Sequence, residues 1–139
     1  MSDAIRAAID EMYRAMNTGD VSNLDSVVAT DLIDHEEMPG ITSTGGQRFK
    51  DFIAMFRSAI PDLKVTAEDT IIEDERAAVR FTLSGTQSGS LMGMPPTGKS
   101  FSIQGVDIMH FNNGKCIEHW GVSDQVGLLM QLGMMPGGQ

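Results

Sequence analysis

The stretch Phe101-Ser102-Ile103-Gln104-Gly105-Val106-Asp107-Ile108-Met109-His110-Phe111-Asn112-Asn113-Gly114-Lys115-Cys116-Ile117-Glu118-His119-Trp120-Gly121-Val122 decides the fold. Phe101, Ile103, Met109 and Phe111 recur at even spacing, the period of a half-buried strand, and Asn112-Asn113-Gly114 between two such runs is a hairpin signal. The reading is two long antiparallel strands, the second from Lys115 to Val122. A three-residue loop with Gly114 in the left-handed conformation pairs Phe111 with Lys115, Met109 with Ile117, Asp107 with His119 and Gly105 with Gly121. On this register an aspartate and a histidine interrupt the inward apolar parity side by side, next to two glycines that leave room for a ligand.

Two further alternating runs precede the hairpin: Leu63, Val65, Ala67 and Ile71, then Ala77, Val79, Phe81 and Leu83, with Asp74 near the turn between them. A glycine-rich loop broken by Pro95-Pro96 spans Gly85 to Lys99. The first half of the chain reads as helices. Ile5, Ala8, Ile9, Met12, Ala15 and Met16 keep helical spacing behind Ser2 or Asp3, and Asn17-Thr18-Gly19 supplies a stop. A short second helix is expected from Ser22 to Ala29. A third, beginning near Thr44 to Gly46, places Phe49, Phe52, Ile53, Phe56 and Ile60 on one face and ends at Pro61. Asp124 is placed to cap a last helix through Leu128, Leu129 and Leu132, stopped by Gly133 with Pro136 beyond. Helices followed by antiparallel strands make an α+β fold, read as one domain over 1–139. The outward positions Val106, Ile108, Trp120 and Val122 are apolar as well, which predicts a homodimer through the outer face of the sheet.

Composition narrows the function. The chain has 139 residues, 41% apolar and 21% charged, as in an ordinary globular domain. Nineteen acids against ten bases give a net charge of −9, which repels phosphate backbones and anionic membrane surfaces, so neither nucleic acid nor membrane is an expected partner. The lone Cys116 precludes an internal disulfide, no apolar run reaches the ~18 residues of a membrane span, and the first sixteen residues carry Asp3, Asp10 and Glu11, unlike a signal peptide. A cytoplasmic location is expected.

A buried carboxylate beside a histidine has two readings: a polar pair that pins the sheet register, or a general acid/base dyad at the bottom of a pocket. The flanking glycines favour the second. Asp34-His35-Glu36-Glu37 has the composition of a metal cluster, but consecutive residues on an extended segment point apart and no second histidine stands at ligand spacing, so no metal site is expected. Glu36 and Glu37 read as a solvated turn and His35 as reaching the pocket rim. Met92 and Met94 sit on a loop suited to a pocket mouth. His110 and Cys116 take outward parity, and Tyr13 and the methionines of the first helix read as core. No Ser-His-Asp order, phosphate loop or dinucleotide fingerprint is present.

The combination of Asp34-His35, Ile60-Pro61-Asp62-Leu63, Gly85-Thr86-Gln87-Ser88-Gly89, Gly93-Met94-Pro95-Pro96-Thr97-Gly98-Lys99, Gly114-Lys115, His119-Trp120, Asp124 and Gln131-Leu132-Gly133 resembles the SnoaL-like polyketide cyclases, or ester cyclases, of the NTF2-like superfamily. The resemblance spans nearly the whole chain. It implies a cone: a curled, mostly antiparallel sheet wrapped by three N-terminal helices around one deep apolar pocket, in dimers or tetramers formed through the sheet. It also implies a cofactor-independent intramolecular aldol cyclisation of a polyketide ester, with an aspartate and a histidine as acid/base residues. Two positions depart from the pattern. Gly121 stands where the cyclases carry an acid/base aspartate, and Gln87 where many relatives carry a histidine. The expected reaction is lyase or isomerase chemistry on a hydrophobic carbonyl compound. Asp107 abstracts the proton α to the carbonyl, and His119 orients it and donates to the enolate oxygen. His35, Gln87, Met92, Met94, Gly105, Gly121, Phe56 and Tyr13 are expected around the ligand. The competing reading is a non-catalytic small-molecule binding protein on the same fold.

Overall fold

In the computed structural model, which describes residues 2–134, a helix α1 (Ser2–Thr18) leads into a single 3-10 turn (Leu24–Ser26) and strand β1 (Val28–Asp34). Helix α2 (Gly45–Ala59) follows, then β2 (Lys64–Glu73), β3 (Arg76–Thr86), β4 (Ser100–Asn112), β5 (Lys115–Ser123) and a short α3 (Gln125–Gln131). The five strands form one sheet in the order β1-β5-β4-β3-β2, antiparallel except for the parallel β1–β5 pair. The α+β fold is as expected, with a fifth strand added at one edge. No helix among the described residues is long and apolar enough to cross a membrane.

The second expected helix, from Ser22 to Ala29, is the 3-10 turn running into β1. Leu24, Val27 and Val28 are spaced as on a helix, but Val28 and Leu32 bury as strand residues do, and Val28 pairs with Cys116 on β5. Of the three N-terminal helices, two are full α-helices. Both obey the helical spacing: α1 buries Ile5, Ala8, Ile9, Met12, Ala15 and Met16, and α2 buries Ile53 and Phe56. Asp124 caps α3 by accepting from the Gly127 N–H at 2.8 Å. Gly133 takes φ +74° after it, whereas Pro136 lies outside the described residues.

The hairpin register differs from the sequence reading. The turn is the two-residue Asn113-Gly114, both at positive φ (53° and 77°), so Asn112 faces Lys115 and Phe111 faces Cys116. One residue later the ladder slips: His110 faces Glu118, and Ile117 is the extra residue of a β-bulge. The two-residue turn puts Cys116, expected outward, opposite Phe111 and fully buried, and the bulge then reverses parity so that His119 still points inward. His119 therefore stands opposite Met109, Asp107 opposite Gly121, and Gly105 opposite Ser123.

Across the outer face a row of apolar side chains runs over four strands, Ile71, Ala78, Ile108 and Trp120, each paired with the next. Val122 (71% exposed) extends it, paired with Val106.

Candidate active site

The inner face of the sheet and the helices enclose a cavity, about 930 Å3 of empty space including the solvent at its mouth. Its walls are apolar: Met12 and Met16 from α1, Phe49, Phe52 and Phe56 from α2, Phe81 and Leu83 from β3, Ile103 and Met109 from β4. Tyr13, Asp34, Glu36, Arg48, Asp107 and His119 form one polar group in its lining, and Ser123 and Gln125 also border it.

His119 is the centre of that group. Although Asp107 is diagonal to it on the ladder rather than directly opposite, the His119 Nε2–H reaches Asp107 Oδ1 at 2.9 Å, and the Nδ1–H reaches Asp34 Oδ1 at 2.9 Å. The diagonal reach is within the ordinary range of long side chains across an antiparallel pair. Asp34 arrives because the parallel β1–β5 pairing sets it beside His119, a register locked by the His35 N–H donating to the His119 carbonyl at 2.9 Å. Tyr13 donates its hydroxyl to Asp107 Oδ2 at 2.7 Å.

The electrostatics follow from this geometry. Burial alone would lower the His119 pKa, but its hydrogen bonds to Asp107 and Asp34 and their charges outweigh it and push it up to about 10. The ring is an imidazolium with both N–H groups donating. Asp34 shows the same balance in reverse. Burial raises it, but the His119 hydrogen bond and charge hold it below the usual carboxylate value. Burial, with Asp107 beside it, keeps Tyr13 a neutral phenol well above its ordinary range.

Glu36 completes the site from the segment joining β1 to α2. Its main chain is pinned at both ends, the N–H on Asp34 Oδ1 at 3.0 Å and the carbonyl under the Arg48 guanidinium at 2.7 Å. Its carboxylate makes no hydrogen bond among the described residues and stands 4.0 Å from His119 Nε2. Burial raises its pKa to about 7 against the pull of His119, with Asp107 and Asp34 adding to the rise. The turn-like composition hid Glu36. Its signal was Asp34-x-Glu36, where alternation along an extended segment returns both carboxylates to one side.

The glycines at the site are filled rather than hollow. A Cβ on Gly105 would collide with the Phe81 ring and stand 2.6 Å from the Val122 carbonyl, and one on Gly121 would collide with Glu36 Oε1. Tyr13 and Phe56 line the cavity. His35 does not reach the rim. It stacks on Trp120, ring centroids 4.8 Å apart, and meets Glu118 at 2.7 Å, because it follows Asp34 and so points to the other face. Gln87 is fully buried away from the cavity. It donates to the Pro95 carbonyl and accepts from the Thr97 hydroxyl, organising the glycine-proline loop. Met92 and Met94 pack against the core on that loop, outside the cavity, where Leu91 and Met94 exchange backbone hydrogen bonds.

Asp34, Glu36 and His119 offer ligand atoms within 4.8 Å of one another. Both His119 nitrogens are hydrogen-bonded to carboxylates, Nδ1 to Asp34 and Nε2 to Asp107. A charged donor between fixed carboxylates, a phenol, and a carboxyl near half-ionisation at neutral pH can polarise a carbonyl and exchange a proton in a water-poor space.

Comparison with known proteins identifies the family. The sequence profile described as SnoaL-like polyketide cyclase matches residues 7–132. The chain is 30% identical over 124 residues to the nogalonic acid methyl ester cyclase of Streptomyces nogalater, across 88% of this chain and 92% of that protein. It is 28% identical over 135 residues to the aklanonic acid methyl ester cyclase AcmA of Streptomyces galilaeus, across 96% and 92%. TsrD from Streptomyces laurentii has the same fold, with a TM-score of 0.88 at 28% identity over 96% of this chain and 97% of that one. With a profile match over nearly the whole chain and relatives aligned end to end, this protein belongs to the SnoaL-like polyketide cyclase family.

Proposed function

We propose that the protein catalyses an intramolecular aldol cyclisation of a hydrophobic polyketide ester by acid/base chemistry, with no cofactor. One observation carries this: the His119 imidazolium held between Asp34 and Asp107 on the floor of an otherwise apolar cavity. A substrate carbonyl entering there takes over one N–H of His119, and the positive charge stabilises the enolate oxygen as the α C–H breaks. Asp107 and Asp34 keep the ring charged and aimed, and Tyr13 holds the second oxygen of Asp107. The two ester cyclases among the relatives supply the substrate class to try first.

The test is conversion of nogalonic acid methyl ester and aklanonic acid methyl ester by the purified protein, followed by absorbance and mass. Isomerisation without change of mass is the expected result, and Asp107→Asn, which retains the cavity but removes an anion from His119, should lower kcat by 10²-fold or more. Tight binding of these esters with no conversion would establish a binding protein instead.

The reading includes a cytoplasmic homodimer or homotetramer assembled through the outer face of the sheet. It is supported by the exposed apolar row across β2, β3, β4 and β5.

A further inference from the structure

Three carboxylates face the substrate space, and their surroundings differ. Both oxygens of Asp107 accept hydrogen bonds, one from His119 and the other from Tyr13. Asp34 Oδ1 accepts from His119 and from the Glu36 N–H, and its Oδ2 lies 3.9 Å from Arg48 Nε. The oxygens of these two carboxylates therefore already face a donor or a cation. Among the described residues, Glu36 alone brings a carboxylate into the cavity with no donor on it.

We infer that Glu36 is the proton-exchanging carboxylate of the reaction, placed over Gly121 because that residue has no side chain. The inward row at this level of the sheet is Val79, Asp107 and Gly121, so the space beside Asp107 on β5 is open at the glycine, and the Glu36 carboxylate descends into it from the β1–α2 segment. There it stands 4.0 Å from His119 Nε2, on the same side of the ring as the Asp107 hydrogen bond. A substrate whose carbonyl oxygen meets that N–H has its neighbouring α-carbon within reach of Glu36.

The step balances without a co-reactant. The Glu36 carboxylate takes the α proton, breaking the C–H bond and leaving an enolate whose oxygen is held by His119. The enolate carbon attacks the second carbonyl of the same molecule, forming the C–C bond and an alkoxide. The Glu36 carboxyl returns its proton to the alkoxide and is regenerated.

This assignment rests on the cyclase reading but has its own test. The charged and titratable groups facing Glu36 are His119, Asp107, Asp34, Arg48 and Tyr13, and among them burial leaves Glu36 titrating at about 7. With either methyl ester as substrate, kcat/KM of the native protein should fall below an apparent pKa near 7. Glu36→Gln should lower kcat by 10²–10⁴-fold and abolish that acid limb. A Glu36→Gln variant within threefold of the native rate, while Asp107→Asn loses activity, overturns the assignment and leaves the cyclase reading standing. If the native protein converts neither ester, the cyclase reading fails for these substrates. Carbon-13 NMR of the side-chain carboxyls, assigned by the same variant, then decides without substrate. A Glu36 midpoint near 7 supports a proton-exchanging group, and one at the ordinary value of 4.5 overturns it.

Discussion

At the scale of single residues, the site stores its chemistry in displaced protonation equilibria, and these carry consequences for stability. His119 binds its proton more tightly folded (about 10) than unfolded (6.5), so its contribution is complete below pH 6.5 and is lost as pH rises through about 10. Glu36 is also raised, from 4.5 to about 7, so folding is opposed progressively as pH climbs through that interval. Asp34, lowered, contributes above its unfolded value and loses that contribution in acid. The melting temperature should therefore fall from near pH 4.5 upward, with one component ending around 7 and another continuing toward 10. In Glu36→Gln the first component should vanish, leaving a protein more stable at pH 8 by about 2–3 kcal/mol. Calorimetry across pH checks this, and an unchanged profile in the variant would mean that Glu36 titrates normally. A catalytic carboxyl that weakens its own fold is a common trade between activity and stability.

At the scale of elements, the site depends on two devices in the sheet, the bulge at Ile117 and the close passage at Gly105. The bulge restores His119 to the inner face after the tight turn has put Cys116 there. Gly105 lets the Phe81 ring and the Val122 carbonyl close over β4. Gly105→Ala forces a Cβ against that backbone carbonyl and should cost about 1–3 kcal/mol, read as a lower urea midpoint with the same slope. The elements differ in how plainly their sequences announce them. The periods of two and of 3.6 identify α1, α2, β3 and β4, because each buries one face; in β2 a register shift between Ala67 and Asp69 turns Ile71, read with Val65 and Ala67, to the outer face, and β5 buries only Cys116. They fail at β1, which buries Val28 and Leu32 with a register slip between its paired ends, and so lacks clean alternation. The inward placement of Asp107 was legible from parity; that of His119 agrees with the reading only because the tighter turn and the bulge at Ile117 offset each other. Their partners Asp34 and Glu36 were not legible, since their positions come from a parallel pairing between segments 85 residues apart, which no local pattern encodes. The reverse error arises at His35 and Gln87, polar residues whose partners are local, a ring stack on Trp120 and a loop's own carbonyl and hydroxyl.

At the scale of the whole molecule, one face of the sheet is covered by helices and the other by nothing among the described residues. Ile33, Ile71, Ile108 and Val122 are each more than 40% exposed on that outer face. If a second copy covers it, Val122→Lys should convert a dimer to a monomer in light scattering at micromolar concentration and leave turnover per chain within a few-fold, since Val122 points away from the cavity. A native protein already monomeric at that concentration would refute the assembly. The layout of the site bears on how the chain reaches its native state. Tyr13 meets Asp107 across 94 positions and Asp34 meets His119 across 85. Such distant partners slow folding, because the loop must close before any reward arrives. During synthesis the nascent N-terminal part emerges with its phenol and carboxyls waiting, and no competent centre exists until β5 has left the ribosome and docked.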